Sequence, residues 1–407
     1  MNCRHCGHGL DQTFLDLGSA PPSNAYLDRA GLEAPERWFP LRLLVCGNCW
    51  LVQTADYAGR ELLFGDDYAY FSSFSSSWLA HARTYVAAMT ERFGLGRDSC
   101  VVEVAANDGY LLRYVQERGI GCYGVEPTRS TAEAARAIGI EIVEEFFGSA
   151  LATELAAAGR GADLMTANNV LAHVPDINDF VTGFAILLKP AGVATFEFPH
   201  LLRMIAENQF DTAYHEHFSY LSLLAIEAIF VSNGLQVFDV EQLPTHGGSL
   251  RIFAQRQGGP HPVTANVARI RTAEQEAGLA TVAPYVAFQK AAERVRTDFL
   301  RYLLDAQAAD LRVGAYGAAA KGNTLLNYAG IRPDLLPYVV DRNPAKAGRF
   351  MPGSRIPIVG EEHLRADRPD RIVILPWNLT DEVMEQLAYA REWGARFVTA
   401  VPELIER

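Results

Sequence analysis

Basic residues are in short supply. Over 407 residues, 36 Lys and Arg stand against 48 Asp and Glu, a formal net charge of −12. No basic patch stands out to meet phosphates, which argues against a general nucleic-acid or membrane-surface binder. Long apolar runs are missing too. None reaches the ~18 residues that a membrane span requires, and the opening Met1-Asn-Cys-Arg-His has no signal-peptide core. A cytoplasmic enzyme is expected. Cysteine is sparse, six in all, and in a long chain with no export signal disulfides are disfavoured and metal binding is favoured.

What is present divides into patterned segments. Hydrophobic residues make up 49%, ordinary for a globular protein, and the length predicts two or three domains, each with its own core. Four cysteines fall in two C-x-x-C knuckles, Cys3-Arg-His-Cys6 and Cys46-Gly-Asn-Cys49. Paired thiolates from two turns predict a closed tetrahedral site that suits zinc and leaves no position open for a substrate, hence a structural metal. The 39 residues between them, 7 to 45, exceed the gap of a compact zinc ribbon. They read as a strand near Phe14 breaking into a proline loop at Pro21-Pro22. His5 and His8 read as exposed bystanders, and Cys100 and Cys122 lie on predicted buried strands.

The stretch from Cys100 to Leu112 organises the rest. Cys100 to Val104 reads as a buried strand, Ala105-Ala-Asn-Asp-Gly109 as a tight turn, and Tyr110 to about Arg118 as a helix. The next strand, Cys122 to Glu126, ends in an acid roughly 20 residues past the turn, placed to take the two hydroxyls of a ribose. The turn lacks the G-x-G-x-x-G of dinucleotide sites. A single glycine with an Asn-Asp pair suits an adenosyl ligand without a pyrophosphate, S-adenosylmethionine; an ordinary βα turn is the other reading. Helices and strands then alternate: Ser130 to Ile138, Ile140 to Val143, a helix through Leu155, Ala162 to Ala167 and Val193 to Phe196. That predicts a mostly parallel sheet with its site at the carboxyl ends of the strands, where Asn168, Asn169, His173, Glu197 and His200 fall. Phe146 and Phe147 are candidates to sandwich an adenine, although a Phe pair is more often core.

Two further stretches carry chemistry. Tyr214-His-Glu-His-Phe218 gathers two histidines, a carboxylate and a tyrosine, groups that are costly to bury without a purpose. The H-x-H spacing has no obvious third metal ligand nearby, so acid–base work or a solvated loop are the readings. Upstream, Asp67-Tyr-Ala-Tyr-Phe-Ser-Ser offers Tyr68 and Tyr70 on a loop that folds over a polar ligand or packs between domains. His246-Gly-Gly is a weaker candidate. A helical linker, Asn266 to Gln307, leads to a second α/β unit. Its loop Gly317-Ala-Ala-Ala-Lys321-Gly is neither a P-loop nor a dinucleotide turn, and either meets a phosphate through Lys321 or is a plain turn.

Together and in this order, these motifs resemble the sugar C-methyltransferases of deoxysugar biosynthesis. The resemblance runs from the first knuckle to the C-terminal Phe397-Val-Thr-Ala-Val-Pro-Glu. It implies an α/β fold: a class I methyltransferase (Rossmann-like) domain flanked by a small zinc-binding domain and a second Rossmann-like C-terminal domain. The expected division is 1–65 for zinc binding, 66–265 for the methyltransferase, 266–310 for the linker and 311–407 for the C-terminal unit. It implies methyl transfer from S-adenosylmethionine to a carbon beside the ketone, expected at C-3, of a nucleotide-linked 4-keto-6-deoxyhexose. By motif, His217 is the base, with Glu216 orienting it or bonding the sugar. Tyr68 and Tyr214 lie near the keto group and His173 lines the pocket. Glu126 holds the ribose, Glu103, Ala105 and Asn107 line the methionine side, and Phe147, Asn168 and Asn169 complete the cofactor set. Cys3, Cys6, Cys46 and Cys49 hold zinc.

Two departures from the family stand out. Ala105 and Ala106 replace glycines common in methyltransferases, and His215 is a second candidate base beside His217. A non-sugar acceptor, a nicotinamide-dependent oxidoreductase using Asp341 in the C-terminal unit, and a non-catalytic zinc-module adaptor are the alternatives. A monomer or small homo-oligomer is expected.

Overall fold

In the computed structural model, which describes residues 1–55 and 71–407, the chain forms three sheets. The first belongs to the cysteine-bearing segment. Strands β1 (Gln12–Ala20), β2 (Phe39–Val45) and β3 (Val52–Thr54) pair antiparallel in that order. Cys46 to Cys49 is the turn from β2 into β3, closed by the Trp50 N–H on the Cys46 carbonyl at 3.0 Å; Cys3 to Cys6 is the facing turn. The four sulfurs lie within 4.8 Å of one another, with Cys3–Cys49 and Cys6–Cys46 at 3.5 Å. Four thiolates at that spacing fit one zinc ion in a closed tetrahedral site. His5 is drawn away by Asn178, Nδ1 to Oδ1 at 2.8 Å, and His8 is exposed. The long gap between the knuckles is β1, the proline loop and β2.

Helix α1 (Ser76–Phe93) opens the central domain, capped by the Ser75 side chain and ended by left-handed Gly94. There follow β4 (Cys100–Val104), α2 (Leu112–Gln116), β5 (Gly121–Val125), α3 (Arg129–Ala137) and β6 (Ile142–Val143). Next come α4 (Ser149–Ala157), β7 (Ala162–Asn168), α5 (Ile177–Leu187) and β8 (Leu188–Pro199). After α6 (Leu201–Ala206), the two-residue β9 (Ser219–Tyr220) precedes α7 (Leu223–Ser232), β10 (Leu235–Leu243) and β11 (Ser249–Arg256). The lateral order is β10-β11-β8-β7-β4-β5-β6, with β11 the antiparallel strand. β4 is bordered by β5 on one side and β7 on the other, so the connections diverge there. A crevice opens at such a switch point, at the carboxyl ends of β4 and β7. This is the α/β methyltransferase sheet that the resemblance implies.

β9 departs from this layer. It pairs with β3 instead, Val52 opposite Tyr220 and Gln53 opposite Ser219, and so becomes the fourth strand of the zinc-bearing sheet.

The segment read as a linker is two helices, α8 (Ala265–Glu276) and α9 (Ala283–Ala308). α9 buries Tyr285, Phe288, Ala292, Val295, Phe299, Leu303 and Ala306, a stripe at three- and four-residue spacing. Phe14 of β1 stacks on Phe288 at 4.7 Å, and the same core continues into the C-terminal unit. α9 is therefore a packed wall shared by two domains. Beyond it, β12 (Val313–Tyr316), α10 (Ala320–Ala329), β13 (Val339–Val340), β14 (Ile358–Val359), β15 (Arg371–Ile374), β16 (Arg396–Thr399) and β17 (Ile405–Glu406) build the third sheet. Its order is β14-β13-β12-β15-β16-β17, parallel except for β17, with a second switch point at β12. No helix among the described residues is long and apolar enough to cross a membrane.

Because β3 follows directly from the Cys46–Cys49 turn and carries β9, loss of zinc should reach the central domain. A strong chelator is expected to release about one zinc per chain and to lower the melting temperature. Elemental analysis before and after chelation, with calorimetry alongside, checks this.

Candidate active site

The turn after β4 keeps a glycine-like backbone without the glycines. Ala105 and Asn107 sit at φ 57° and 50°, in the left-handed region that side chains resist, and Gly109 at 76°. Ala106 packs into the space that Gly124 leaves on β5; a Cβ there would stand 2.5 Å from Ala106 Cβ. At the end of β5, Glu126 pins the turn. Its Oε2 accepts from Asn107 N–H at 2.9 Å and its Oε1 from Thr128 N–H at 2.8 Å, while burial holds its carboxyl above the usual range. Glu103 lies fully buried beside Tyr110, Asp108 and Glu126, and desolvation pushes it well above the ordinary carboxylate value.

The segment entering α1 folds over this turn: Ser72 N–H donates to Asn107 Oδ1 at 2.9 Å and Ser73 N–H to Asp108 Oδ2 at 3.1 Å. Across the crevice, at the end of β7, Asn168 and Asn169 follow, the latter at φ 57°. Asp108 Oδ1, Asn168 Nδ2 and Asn169 Oδ1 are buried without a hydrogen-bond partner among the described residues. Buried polar atoms normally find one, so these three are candidates to meet a ligand. The Phe pair divides. Phe147 packs edge-on against Phe180 and Phe184 at 5.6 and 5.2 Å, while Phe146 is 55% exposed.

The second cluster forms on the loop before β9. The His217 ring lies 4.6 Å from the His173 ring, 4.0 Å from Tyr214 and 5.7 Å from Tyr220, centroid to centroid. A hydrogen bond to the Thr212 backbone supports it. Burial and the neighbouring His173 nevertheless drive its pKa well below the ordinary imidazole value, so it is a neutral imidazole. His173 is set in turn by Nδ1 on the Glu216 carbonyl at 2.8 Å.

The two candidate histidines part company. His215 turns toward β2, with Nε2 on the Phe39 carbonyl at 3.2 Å, and stays outside the cluster. Nor does the Glu216 carboxylate turn to His217: Oε1 accepts from Asn24 Nδ2 at 3.2 Å, and Oε2 is buried without a partner among the described residues. The stretch is a tight turn, closed by His217 N–H on the Tyr214 carbonyl at 3.0 Å, and the turn sends side chains 215, 216 and 217 in different directions. Tyr68 and Tyr70 lie outside the described residues.

Other groups join the crevice with little sequence signal. His246, at φ 55°, meets Asn169 Nδ2 through Nε2 at 3.2 Å, and burial lowers its pKa to about 4. Trp78 of α1 stacks on His81 at 4.8 Å and faces His246 at 5.6 Å. An aromatic on an amphipathic helix reads as core, so nothing marked it. Glu197 is taken up by Arg251 and by His81 Nε2 at 2.8 Å, while His200 bonds Glu274 at 2.7 Å within the core. Asp211, fully buried, carried no motif of its own.

Comparison with known proteins matches most of the chain, domain by domain. A zinc binding domain matches residues 3–64, a methyltransferase domain 78–240 and a C-methyltransferase C-terminal domain 244–402. The C-methyltransferase NovU of Streptomyces niveus is 34% identical over 401 residues, covering 98% of this chain and 95% of its own. Among solved structures, an S-adenosylmethionine-dependent methyltransferase from Mesorhizobium loti is 15% identical at TM-score 0.35, covering 44% of this chain and all of that one (100%). Magnesium protoporphyrin IX methyltransferase from Synechocystis PCC 6803, with bound SAH, is 16% identical at TM-score 0.35 and covers 44% and 83%. These two scores are too low to carry weight, and the assignment rests on the relative matched along its length. The chain belongs to the S-adenosylmethionine-dependent C-methyltransferases that carry an N-terminal zinc domain.

Proposed function

We propose that this C-methyltransferase acts on the carbon next to the ketone, C-3, of a nucleotide-linked 4-keto-6-deoxy sugar, in the making of deoxysugars for antibiotics or surface glycans. One observation carries the reading: a buried imidazole, His217, with its ring 4.6 Å from that of His173 and 4.0 Å from that of Tyr214. Methylating carbon requires that a proton be removed first, and a neutral imidazole can accept it.

When bound, S-adenosylmethionine supplies an electrophilic methyl on a sulfonium. Glu126 would hold its ribose hydroxyls, its carboxylate fixed by two backbone N–H groups yet keeping lone pairs for a ligand. Glu103, Ala105 and Asn107 would line the methionine side, and the buried orphan atoms of Asp108, Asn168 and Asn169 supply polar contacts. Phe147 would edge the adenine pocket. On the acceptor side, Tyr214 and His173 would flank the keto group, joined by Tyr68, and Glu216 would offer Oε2, which has no partner among the described residues, to a sugar hydroxyl.

Three outcomes test this. In deuterated water, a panel of nucleotide-linked 4-keto-6-deoxy sugars should exchange the proton beside the ketone, and His217→Ala should slow that exchange by about 100-fold or more. Retained exchange would move the base elsewhere. Since burial keeps His217 neutral, the acid limb of the exchange profile should fall below pH 6.5, the ordinary imidazole value. Glu126→Ala should weaken S-adenosylmethionine binding by about 10- to 100-fold, the worth of charge-assisted hydrogen bonds at ~1.5–3 kcal/mol; unchanged calorimetry would remove Glu126 from the ribose.

A further inference from the structure

A buried neutral imidazole is a weak base, because the surroundings that keep it uncharged also disfavour its protonated form. A proton next to a ketone is itself only weakly acidic. Enolisation by His217 therefore needs a donor on the oxygen side, where the negative charge collects.

The C-terminal unit offers one. Lys321 opens α10 on the turn after β12, and Trp377 and Asn378 lie on the turn after β15. These are the two turns that flank the switch point of the third sheet, where α/β proteins place ligands. Lys321 Nζ donates to Asn378 Oδ1 at 2.6 Å and lies 4.6 Å above the Trp377 ring. Trp377 is wedged between domains. Its Nε1–H donates to Asp211 Oδ2 at 2.8 Å, and its ring fills the space beside Gly247, where a Cβ would stand 2.5 Å from it. α10 is tied directly to the base-bearing loop by Thr324 Oγ1, which donates to the Ala213 carbonyl at 2.8 Å.

Trp377 and Thr324 thus tie the elements around Lys321 to Gly247, beside His246, and to Ala213 on the loop that carries His217. The Lys321 charge is felt at both His217 and His246, and it helps to depress the pKa of each. Burial pulls the Lys321 pKa down and Asp211 opposes that, while burial raises the Asp211 carboxyl itself to about 7. Asp211 Oδ1 is buried without a partner among the described residues. An ammonium has three N–H groups. One serves Asn378 and one can face the indole, which leaves one for a ligand.

We propose that Lys321 is a further catalytic residue, whose ammonium donates to the ketone oxygen of the acceptor and holds the charge that forms there as His217 removes the neighbouring proton. This rests on the keto-sugar reading above. In the step, the proton passes from carbon to His217, the C–H electron pair becomes the carbon–carbon π bond, and the carbonyl π pair moves onto oxygen, where the Lys321 N–H meets it. In deuterated water the reverse step returns a deuteron to carbon.

Exchange kinetics of Lys321→Met, Lys321→Gln and Lys321→Arg on the keto-sugar that the unaltered protein exchanges test this. Melting temperature and S-adenosylhomocysteine affinity serve as controls for folding. The Met and Gln variants should lose about 100-fold or more in the rate at saturating sugar, with affinity for the matching nucleoside diphosphate held within about threefold and Arg recovering part of the rate. Exchange that persists in folded Met or Gln variants overturns the proposal while leaving the keto-sugar reading intact. Weakened nucleoside diphosphate binding with full exchange at saturation also overturns it, making Lys321 a phosphate anchor. No exchange by the unaltered protein on any such sugar sinks both readings together.

Discussion

The whole arrangement depends on a short piece of β-pairing between segments far apart in the chain. β9 has two residues and could not stand alone, yet by joining β3 it fixes the loop that carries Tyr214, His215, Glu216 and His217. Thr54 N–H donates to the Phe218 carbonyl at 3.1 Å, the Thr54 hydroxyl to the His217 carbonyl, and Phe218 N–H to the Ala172 carbonyl at 2.7 Å. With its backbone held from both sides, the loop can send its side chains apart. His215 goes to β2, Glu216 to Asn24 in the proline loop, and His217 to His173 in the central domain. The buried polar groups of this loop would be costly if left mobile and unpaired. Anchored, they give three domains one shared wall. The zinc site matters to the chemistry at a distance, because it fixes the turn from which β3 departs.

Of the nine non-glycine residues at left-handed φ among the described residues, four lie around the crevice. Ala105, Asn107, Asn169 and His246 all occupy left-handed φ, each at a cost of order 1–3 kcal/mol. All four border the crevice, and beside them lie buried atoms that find no protein partner among the described residues, on Asp108, Asn168 and Asn169. A chain kept only as an adaptor would have no use for either expense. At Ala105 the strained conformation survives even though the residue no longer favours it, because Glu126 holds the Asn107 N–H on the far side of the turn and Ala106 is seated over Gly124.

Much of this was legible from local pattern. Cys100–Val104 folds over the limits read from the sequence, and both cysteine turns meet in space. These are features whose physics is contained in neighbouring residues: apolar spacing, thiolates three apart. What escaped depends on distant partners. Two residues such as Ser219–Tyr220 carry no period, so β9 was invisible. The stripe on α9 was visible as amphipathic, but nothing in it tells a spacer from a wall packed against Phe14. His215 and His217 differ by which domain each faces, and adjacency in sequence is silent on that. Asp211, Trp78 and Trp377 carry no motif because each acts through a contact with another domain.

The two larger α/β units repeat one device and use it to different ends. In the central domain, the acid ending the second strand accepts from the backbone of the first turn, Glu126 to Asn107 N–H at 2.9 Å; in the C-terminal unit Asp341 does the same with Ala318 N–H, also at 2.9 Å. The central turn is left facing open polar groups. The C-terminal turn is covered: Tyr26 OH and Lys346 Nζ both donate to the Ala318 carbonyl, at 2.6 and 2.8 Å, and Asn343 N–H occupies the other oxygen of Asp341. Where a nicotinamide enzyme would seat a ribose and pyrophosphate, this chain seats its own N-terminal tyrosine. That tyrosine lies two residues from Asn24, the partner of Glu216. The acid and the turn of the second unit are thus engaged by the chain's own groups, in keeping with a Rossmann-like domain that lacks a G-x-G-x-x-G turn.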